Sequence, residues 1–226
     1  MTVLAFDTTL DVCSVALLDA AANSILAERH VAMNKGHAEA LHGLIGDAMG
    51  DAGIGFSEIE RIVVTTGPGT FTGSRIGIAA ARGFALTLGV PIAGITTLHA
   101  LAASAVGKDE EPILAALDAR RGQIYAALYA QDLDELVAPL ALDIEHVAES
   151  FPASKLIGIG SGAKLCAAAC DNIKISPADH LPRAAIWGFA AAKIPADKTW
   201  PMPLYLRPPD AKPPAAGSIV SRTLEQ

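Results

Sequence analysis

Between Gly67 and Gly73 the chain reads Gly67-Pro68-Gly69-Thr70-Phe71-Thr72-Gly73, a glycine-rich loop after an apolar run and before a helical stretch. Such a loop can cradle a phosphate, because a helix N-terminus offers free backbone N–H groups and the positive end of the peptide dipole. The specific templates fail. A GxGxxG fingerprint needs glycine at 72, where Thr72 stands. A P-loop ends in Gly-Lys-Ser/Thr with a glycine five positions earlier, and Gly73-Ser74-Arg75 supplies neither. A tight turn feeding a closely packed helix is the better reading. Asp7-Thr8-Thr9 closes the first apolar run, where an acidic residue beside a glycine-bearing turn could hold magnesium and phosphate. The aspartate is present, but threonine replaces the glycine and its Cβ crowds a phosphate. A strand-ending aspartate capping its own turn and a vestigial nucleotide site stand level.

Other reactive residues gather less support. Asp118 with Arg120 and Arg121 flanks a turn between two apolar runs. These three are candidates for ligand contacts between lobes, though an exposed hairpin salt bridge is the commoner arrangement. His37 and His42 are five apart, about 140° around a helix, so they cannot share an ion as a four-residue spacing would. The other histidines are isolated. Ser161 lies in Gly160-Ser161-Gly162, which is not the GxSxG of a nucleophile elbow. Cys13, Cys166 and Cys170 have neither redox nor zinc spacing, as expected of thiols in a reducing compartment.

These residues need a scaffold. Val3 to Phe6, Val12 to Leu18 and Ile25 to Ala32 read as strands with short connections, an antiparallel meander. From Asn34 to Ala52 the period becomes helical: Ala38, Leu41, Leu44, Ile45, Ala48, Met49 and Ala52 form one stripe. Gly43, Gly46 and Gly50 fall opposite, each costing about 1 kcal/mol relative to alanine. Close approach of a second helix and a weak, frayed surface helix account for them equally well. Arg61 to Thr66 is a strand and Ser74 to Leu88 a helix that is apolar or small almost all round. In it Gly73, Gly77 and Ala81 repeat every four residues, which permits close packing. Pro91 to Ile95 follows as a strand, and Thr96-Thr97 caps a helix to about Ala105. The pattern then restarts, with strands at Ile113 to Asp118, Gln123 to Ala130 and Lys155 to Ile159. Helices follow to Cys170 and over Ala184 to Lys193. Trp200 to Ala216 is proline-rich and reads as extended, with a tail expected to be mobile after Arg207.

The order βββαβαβα is that of the ribonuclease-H-like half of actin and sugar kinases, and it assigns no chemistry by itself. The expected division is 1–106 for a full N-terminal lobe, 107–207 for a smaller C-terminal lobe and 208–226 for the tail. Hydrophobic residues make up 51% of the 226 residues, enough for a real core, and aromatics only 5%. Net charge is −7 and no Lys/Arg cluster shows along the sequence, which argues against autonomous binding to nucleic acid. No signal peptide or membrane span is legible, so a cytoplasmic protein is expected.

From Thr66 to Gly77 the sequence Thr-Gly-Pro-Gly-Thr-Phe-Thr-Gly-Ser-Arg-Ile-Gly closely resembles the TsaB family, also called YeaZ. Leu4-Ala5-Phe6-Asp7-Thr8-Thr9, Gly36-His37, Thr96-Thr97-Leu98, Asp118 to Tyr125 and Pro203-Leu204-Tyr205-Leu206-Arg207 agree in order. The resemblance implies an actin-like ATPase (ribonuclease-H-like) α/β fold with a full first lobe and a reduced second one. It implies a non-catalytic platform in tRNA modification, beside a catalytic paralogue, TsaD, that carries the metal and the nucleotide. TsaC-type enzymes would supply threonylcarbamoyl-adenylate, TsaD would transfer the group to the adenosine beside the anticodon, and the TsaE ATPase would complete the set. No cofactor is expected on this chain, and tRNA would be reached only through the assembly. A homodimer through the first helices is implied for the chain alone. Leu41, Gly43, Ile45, Gly46, Gly50, Gly73, Gly77 and Ala81 are the expected interface for self-association and for the paralogue. Two other classes remain open, a small ATP-dependent transferase or kinase and a glycoprotease-like peptidase.

Overall fold

A computed structural model describes residues 1–107, 110–152, 155–195 and 200–207. Strand β1 (Thr2–Asp7) shows why the first run is apolar without alternation. Leu4 and Phe6 enter one core, while Val3 and Ala5 enter another on the opposite face. A strand covered on both faces must be apolar on both. Strands β2 (Val12–Asp19) and β3 (Ser24–Ala32) extend it as the expected meander. Parallel strands β4 (Arg61–Thr65) and β5 (Ile92–Ile95) complete a five-stranded sheet of order β3-β2-β1-β4-β5.

Helices α1 (His37–Ala52) and α2 (Phe71–Leu88) cover one face of this sheet. Helix α1 begins at His37 rather than Asn34, because Gly36 takes a left-handed conformation before it. Helix α2 begins three residues before Ser74, because Thr70 is its cap and its side chain accepts from the Gly73 N–H. The α1 stripe is buried as expected through Leu41, Ile45, Ala48 and Met49. Gly43, Gly46 and Gly50 face open space, with nothing within 4 Å of a Cβ built on any of them.

The second half repeats the first. Strands β6 (Ile113–Arg120), β7 (Gln123–Tyr129) and β8 (Glu135–Asp143) form a meander, and β9 (Leu156–Ile159) and β10 (Ile173–Ile175) add in parallel. The order β10-β9-β6-β7-β8 is that of the first sheet. The reduction expected of this lobe lies in its helices: α4 (Val147–Ser150) and α5 (Ala163–Ala169) have 4 and 7 residues where α1 and α2 have 16 and 18. Strand β8 escaped the sequence reading because it is an edge strand, half exposed and carrying Pro139, which an edge tolerates.

The last helix of each half crosses to the other. Leu98, Leu101, Ala102 and Ala105 of α3 (Thr97–Ala105) join the core of the second sheet. Ala184, Ala185, Trp187, Ala191 and Ala192 of α6 (Ala184–Lys193) join that of the first. Small residues let α6 lie close: a Cβ on Gly188 would stand 2.6 Å from a Leu18 methyl and 2.9 Å from the Ala5 Cβ. A division at 106 therefore follows the sheets but not these two helices. The expected tail, 208–226, lies outside the described residues.

Candidate functional site

The C-terminal ends of β1, β4 and β5 meet at one edge, and each carries a Thr-Thr pair: Thr8-Thr9, Thr65-Thr66 and Thr96-Thr97. Asp7 sits among them, fully buried. Its Oδ1 accepts from the Thr9 N–H at 3.2 Å, from the Thr9 hydroxyl at 2.6 Å and from the Thr65 hydroxyl. Thr97 donates to Thr9 Oγ1 at 2.9 Å. Oδ2 is buried with no partner among the described residues. Burial outweighs the three donors, and the carboxyl is pushed up to about 6. The sequence placed Thr65 within a strand and Thr97 at a helix cap, and assigned neither to this site. The recurrence of Thr-Thr at strand ends was the signal that could have found them.

The glycine loop closes on this turn rather than on open space. Thr70 N–H donates to Thr9 O at 2.7 Å, and the Thr8 hydroxyl donates to Gly73 O at 2.7 Å. A Cβ on Gly69 would lie 2.4 Å from Thr9 O, and one on Gly73 would lie 2.0 Å from Thr8 O. A Cβ on Gly77 would lie 2.8 Å from Thr8 Oγ1. Each is closer than real Cβ contacts allow, so these glycines exist to let two backbones touch. The peptide Gly67-Pro68 is cis, and Thr97 N–H donates to Gly67 O at 2.8 Å. Phe71 and Thr72 are exposed at the start of α2. The loop glycines thus pack directly against the backbone of Thr8 and Thr9.

A strap, residues 200–207, runs from α2 to the second lobe. Arg82 donates to Pro201 O at 3.1 and 2.5 Å, and Leu204 N–H to Thr66 O at 2.8 Å. Tyr205 stacks on Phe71 at 5.7 Å between ring centroids. Arg207 then donates to Ala119 O at 3.2 Å and to Gln123 Oε1 at 2.5 Å. The strap therefore links α2 and the end of β4 to the β6–β7 hairpin. At the far loop, Arg120 and Arg121 both take left-handed conformations at an exposed hairpin tip. Asp118 Oδ1 accepts from the Arg120 N–H at 2.7 Å, and Oδ2 lies 3.4 Å from its guanidinium. The Ser161 hydroxyl accepts from the Asp118 N–H at 3.1 Å, so Ser161 braces this turn.

The expected interface residues divide. Leu41, Ile45, Gly73, Gly77 and Ala81 point inward and are buried in this chain's own core, which corrects their assignment to a docking face. The helical repeat of Gly73, Gly77 and Ala81 was real, but it faces Thr8, just after β1, and Val64 of β4. Gly43, Gly46 and Gly50 remain exposed. Beside them α1 and α2 form an apolar groove of about 720 Å³, lined by Ala38, His42, Phe56, Ile76, Ala80 and Phe84 among others. His42 packs against Phe84 at 5.7 Å, while the buried His37 Nε2 bonds Leu10 O at 2.9 Å, so the two histidines do diverge. The three cysteines are free and buried. Among the described residues no helix is long and apolar enough to cross a membrane.

The family model of TsaD, tRNA N6-adenosine threonylcarbamoyltransferase, matches residues 24–171. The tRNA threonylcarbamoyladenosine biosynthesis protein TsaB of Escherichia coli is 33% identical over 72% of this chain and 72% of its own length. An uncharacterized protein of Mycobacterium tuberculosis is 34% identical over 94% of each chain. YeaZ from Pseudomonas aeruginosa superposes with a TM-score of 0.77 at 30% identity, covering 91% of this chain and 99% of that one. The (R)-2-hydroxyglutaryl-CoA dehydratase component A of Acidaminococcus fermentans shares the fold alone, at TM-score 0.51 and 11% identity. Two sheets of one strand order with exchanged helices, a glycine loop closed on Asp7-Thr8-Thr9, and relatives matched over most of their length agree: the chain belongs to the TsaB (YeaZ) family.

Proposed function

We propose that this chain is the non-catalytic platform of an assembly that transfers threonylcarbamoyl to the adenosine beside the tRNA anticodon. The observation that supports this is the closed loop: Gly69 and Gly73 lie against the Thr9 and Thr8 carbonyls, so the loop is packed on this chain's own backbone. A chain whose loop is closed in this way contributes surface instead. The α1–α2 groove is the surface that suits a TsaD-like paralogue, because the same pair of helices in a related fold offers a matching shape. The metal and ATP belong to the TsaD-like and TsaE-like partners, and a TsaC-type enzyme supplies the activated group. A cytoplasmic location and a homodimer of the free chain fit this role.

Gly46 tests the surface. It continues the exposed row of Ala38 and His42 along α1, and a Cβ there meets nothing. Gly46→Leu should keep the fold and weaken both the homodimer and the complex with the paralogue, by at least tenfold in sedimentation. Unchanged affinities in a folded variant would remove the groove from the reading. One observation favours a second reading, a small ATP-dependent transferase: the unpartnered Oδ2 of Asp7 is a natural place for a cation. Calorimetry decides between them. Stoichiometric, micromolar ATP–Mg²⁺ binding by the chain alone, with turnover, supports the transferase.

A further inference from the structure

The fold gathers arginines that the sequence scatters. Along the strap, Arg82 holds Pro201 O, Arg75 Nε donates to Tyr205 Oη at 2.8 Å, and Arg207 holds Ala119 O and Gln123 Oε1. At the end of that line stand the exposed guanidiniums of the hairpin tip, Arg120 and Arg121. Every recorded acceptor of Arg75, Arg82 and Arg207 is neutral, so the hydrogen bonds fix these cations without cancelling their charge. At the hairpin tip Asp118 pairs with Arg120.

Flat rings alternate with the cations. The Arg75 guanidinium lies 3.6 Å from the Phe71 centroid and 5.8 Å from that of Tyr205. Arg82 lies 6.0 Å from Trp200, and Arg207 lies 5.8 Å from Tyr125. Phe71, Tyr205 and Trp200 are 56, 49 and 42% exposed, large values for aromatic side chains in a chain with so few of them. Phe71 and Tyr205 also stack on each other beside Arg75, and with Trp200 they still leave about half of their surface open to a partner.

We propose that this strip, from Trp200 and Arg82 through Phe71, Arg75 and Tyr205 to Arg207 and the hairpin tip, is a contact surface for RNA. Guanidiniums take the phosphates, and unpaired bases stack on the exposed rings. An acidic protein segment would use the arginines but has no need of the rings, so single-stranded or loop RNA is the better match. The proposal deepens the platform reading, since it gives this chain its own contact with the tRNA that the assembly carries. Its net charge of −7 opposes a polyanion at long range, so the contact is weak for the chain alone and matters once a partner brings the RNA near.

The test is fluorescence anisotropy of an unmodified tRNA transcript against the full chain at about 20 mM salt, and against the reconstituted assembly at about 150 mM. The chain-alone arm does not depend on the platform reading, so either idea can fail without the other. Arg75→Gln/Arg82→Gln/Arg207→Gln should weaken binding at least tenfold and flatten the log–log salt slope by about 2, roughly 0.7 to 0.9 per lost phosphate contact. The same three positions as lysine should keep the slope, which separates charge from strap anchoring. Arg29→Gln/Arg183→Gln on the far edge of the first sheet should change nothing. Photo-crosslinking covers the case in which the glutamine variant unfolds. A photoreactive residue at Met202, 71% exposed on the strap, should capture the transcript. No binding at either salt, an unchanged slope in the folded glutamine variant, no crosslink from Met202, or equal and equally sensitive binding of poly-glutamate would each overturn the proposal.

Discussion

Asp7 and Asp118 occupy the same place in two copies of one topology, near the end of the first strand of each sheet, and they live in opposite surroundings. Asp7 is buried under the glycine loop and α2, with one oxygen triply bonded and the other unpartnered. Asp118 sits on an exposed hairpin and pairs with Arg120. The difference traces to what covers each turn. In the first lobe seven residues from Gly67 to Gly73 and an 18-residue helix fold over it, whereas the second lobe has the short Gly160-Ser161-Gly162 and a 7-residue helix. A shared strand order therefore fixes where a carboxylate stands, and the local covering fixes what it can do.

One feature survives in both lobes, the close approach of loop to first strand, and it offers the largest effects. Gly73→Ala would put a Cβ 2.0 Å from Thr8 O, and Gly160→Ala one 2.3 Å from Ala116 O at a φ of +94°. Both neighbours are backbone and cannot swing aside. Each variant should lose about 3 kcal/mol or more, read from the urea midpoint. Gly122→Ala, at φ +74° with nothing within 4 Å, should lose only about 1 kcal/mol. Should Gly160→Ala behave like Gly122→Ala, the two loops are not equivalent.

The titration of Asp7 gives the next effect. Its carboxyl is raised from 3.8 to about 6 by burial, so the folded state holds the proton more tightly than the unfolded chain. That stabilisation is fully present below pH 3.8 and is lost as pH rises through about 6. Comparing wild type with Asp7→Asn isolates it from other groups. The stability difference between the two should change by about 2.4 kcal/mol between pH 7.5 and pH 4, with wild type gaining as pH falls. A difference that stays flat with pH would mean that Asp7 Oδ2 is solvated or paired. Asp118→Asn should cost less than about 1 kcal/mol, as a surface ion pair does.

The smallest effect belongs to the outer helices. Gly46→Ala should raise stability by about 0.5 to 1 kcal/mol, because the position is helical and open. A loss there would show that something covers that face in solution.

Much of the fold was legible because single elements announce themselves. The continuous apolar runs of β1 and β2, the stripe of α1 and the bounds of α6 follow from periods that a chain must obey to bury one face or two. The shortest or edge elements were not legible. Strand β10 has 3 residues and α4 has 4, too few to show a period. The glycine loop was recognised as a packed turn, and its family signature named the relatives, since those features are contiguous in the chain.

What the sequence by itself determined was the element order of the first half, the core face of α1, the glycine loop and the family. What only the tertiary structure decided was which face each small-residue row presents, and which distant residues meet. Gly73, Gly77 and Ala81 look like an interface until Thr8 and Val64 of β4 lie under them. Arg75, Arg82 and Arg207 look like scattered surface charges until the strap draws them into line. The physical reason is one of range. Periodicity and turn chemistry act over a few neighbouring residues, whereas a buried carboxylate or a row of cations is set by chain segments that only folding brings together.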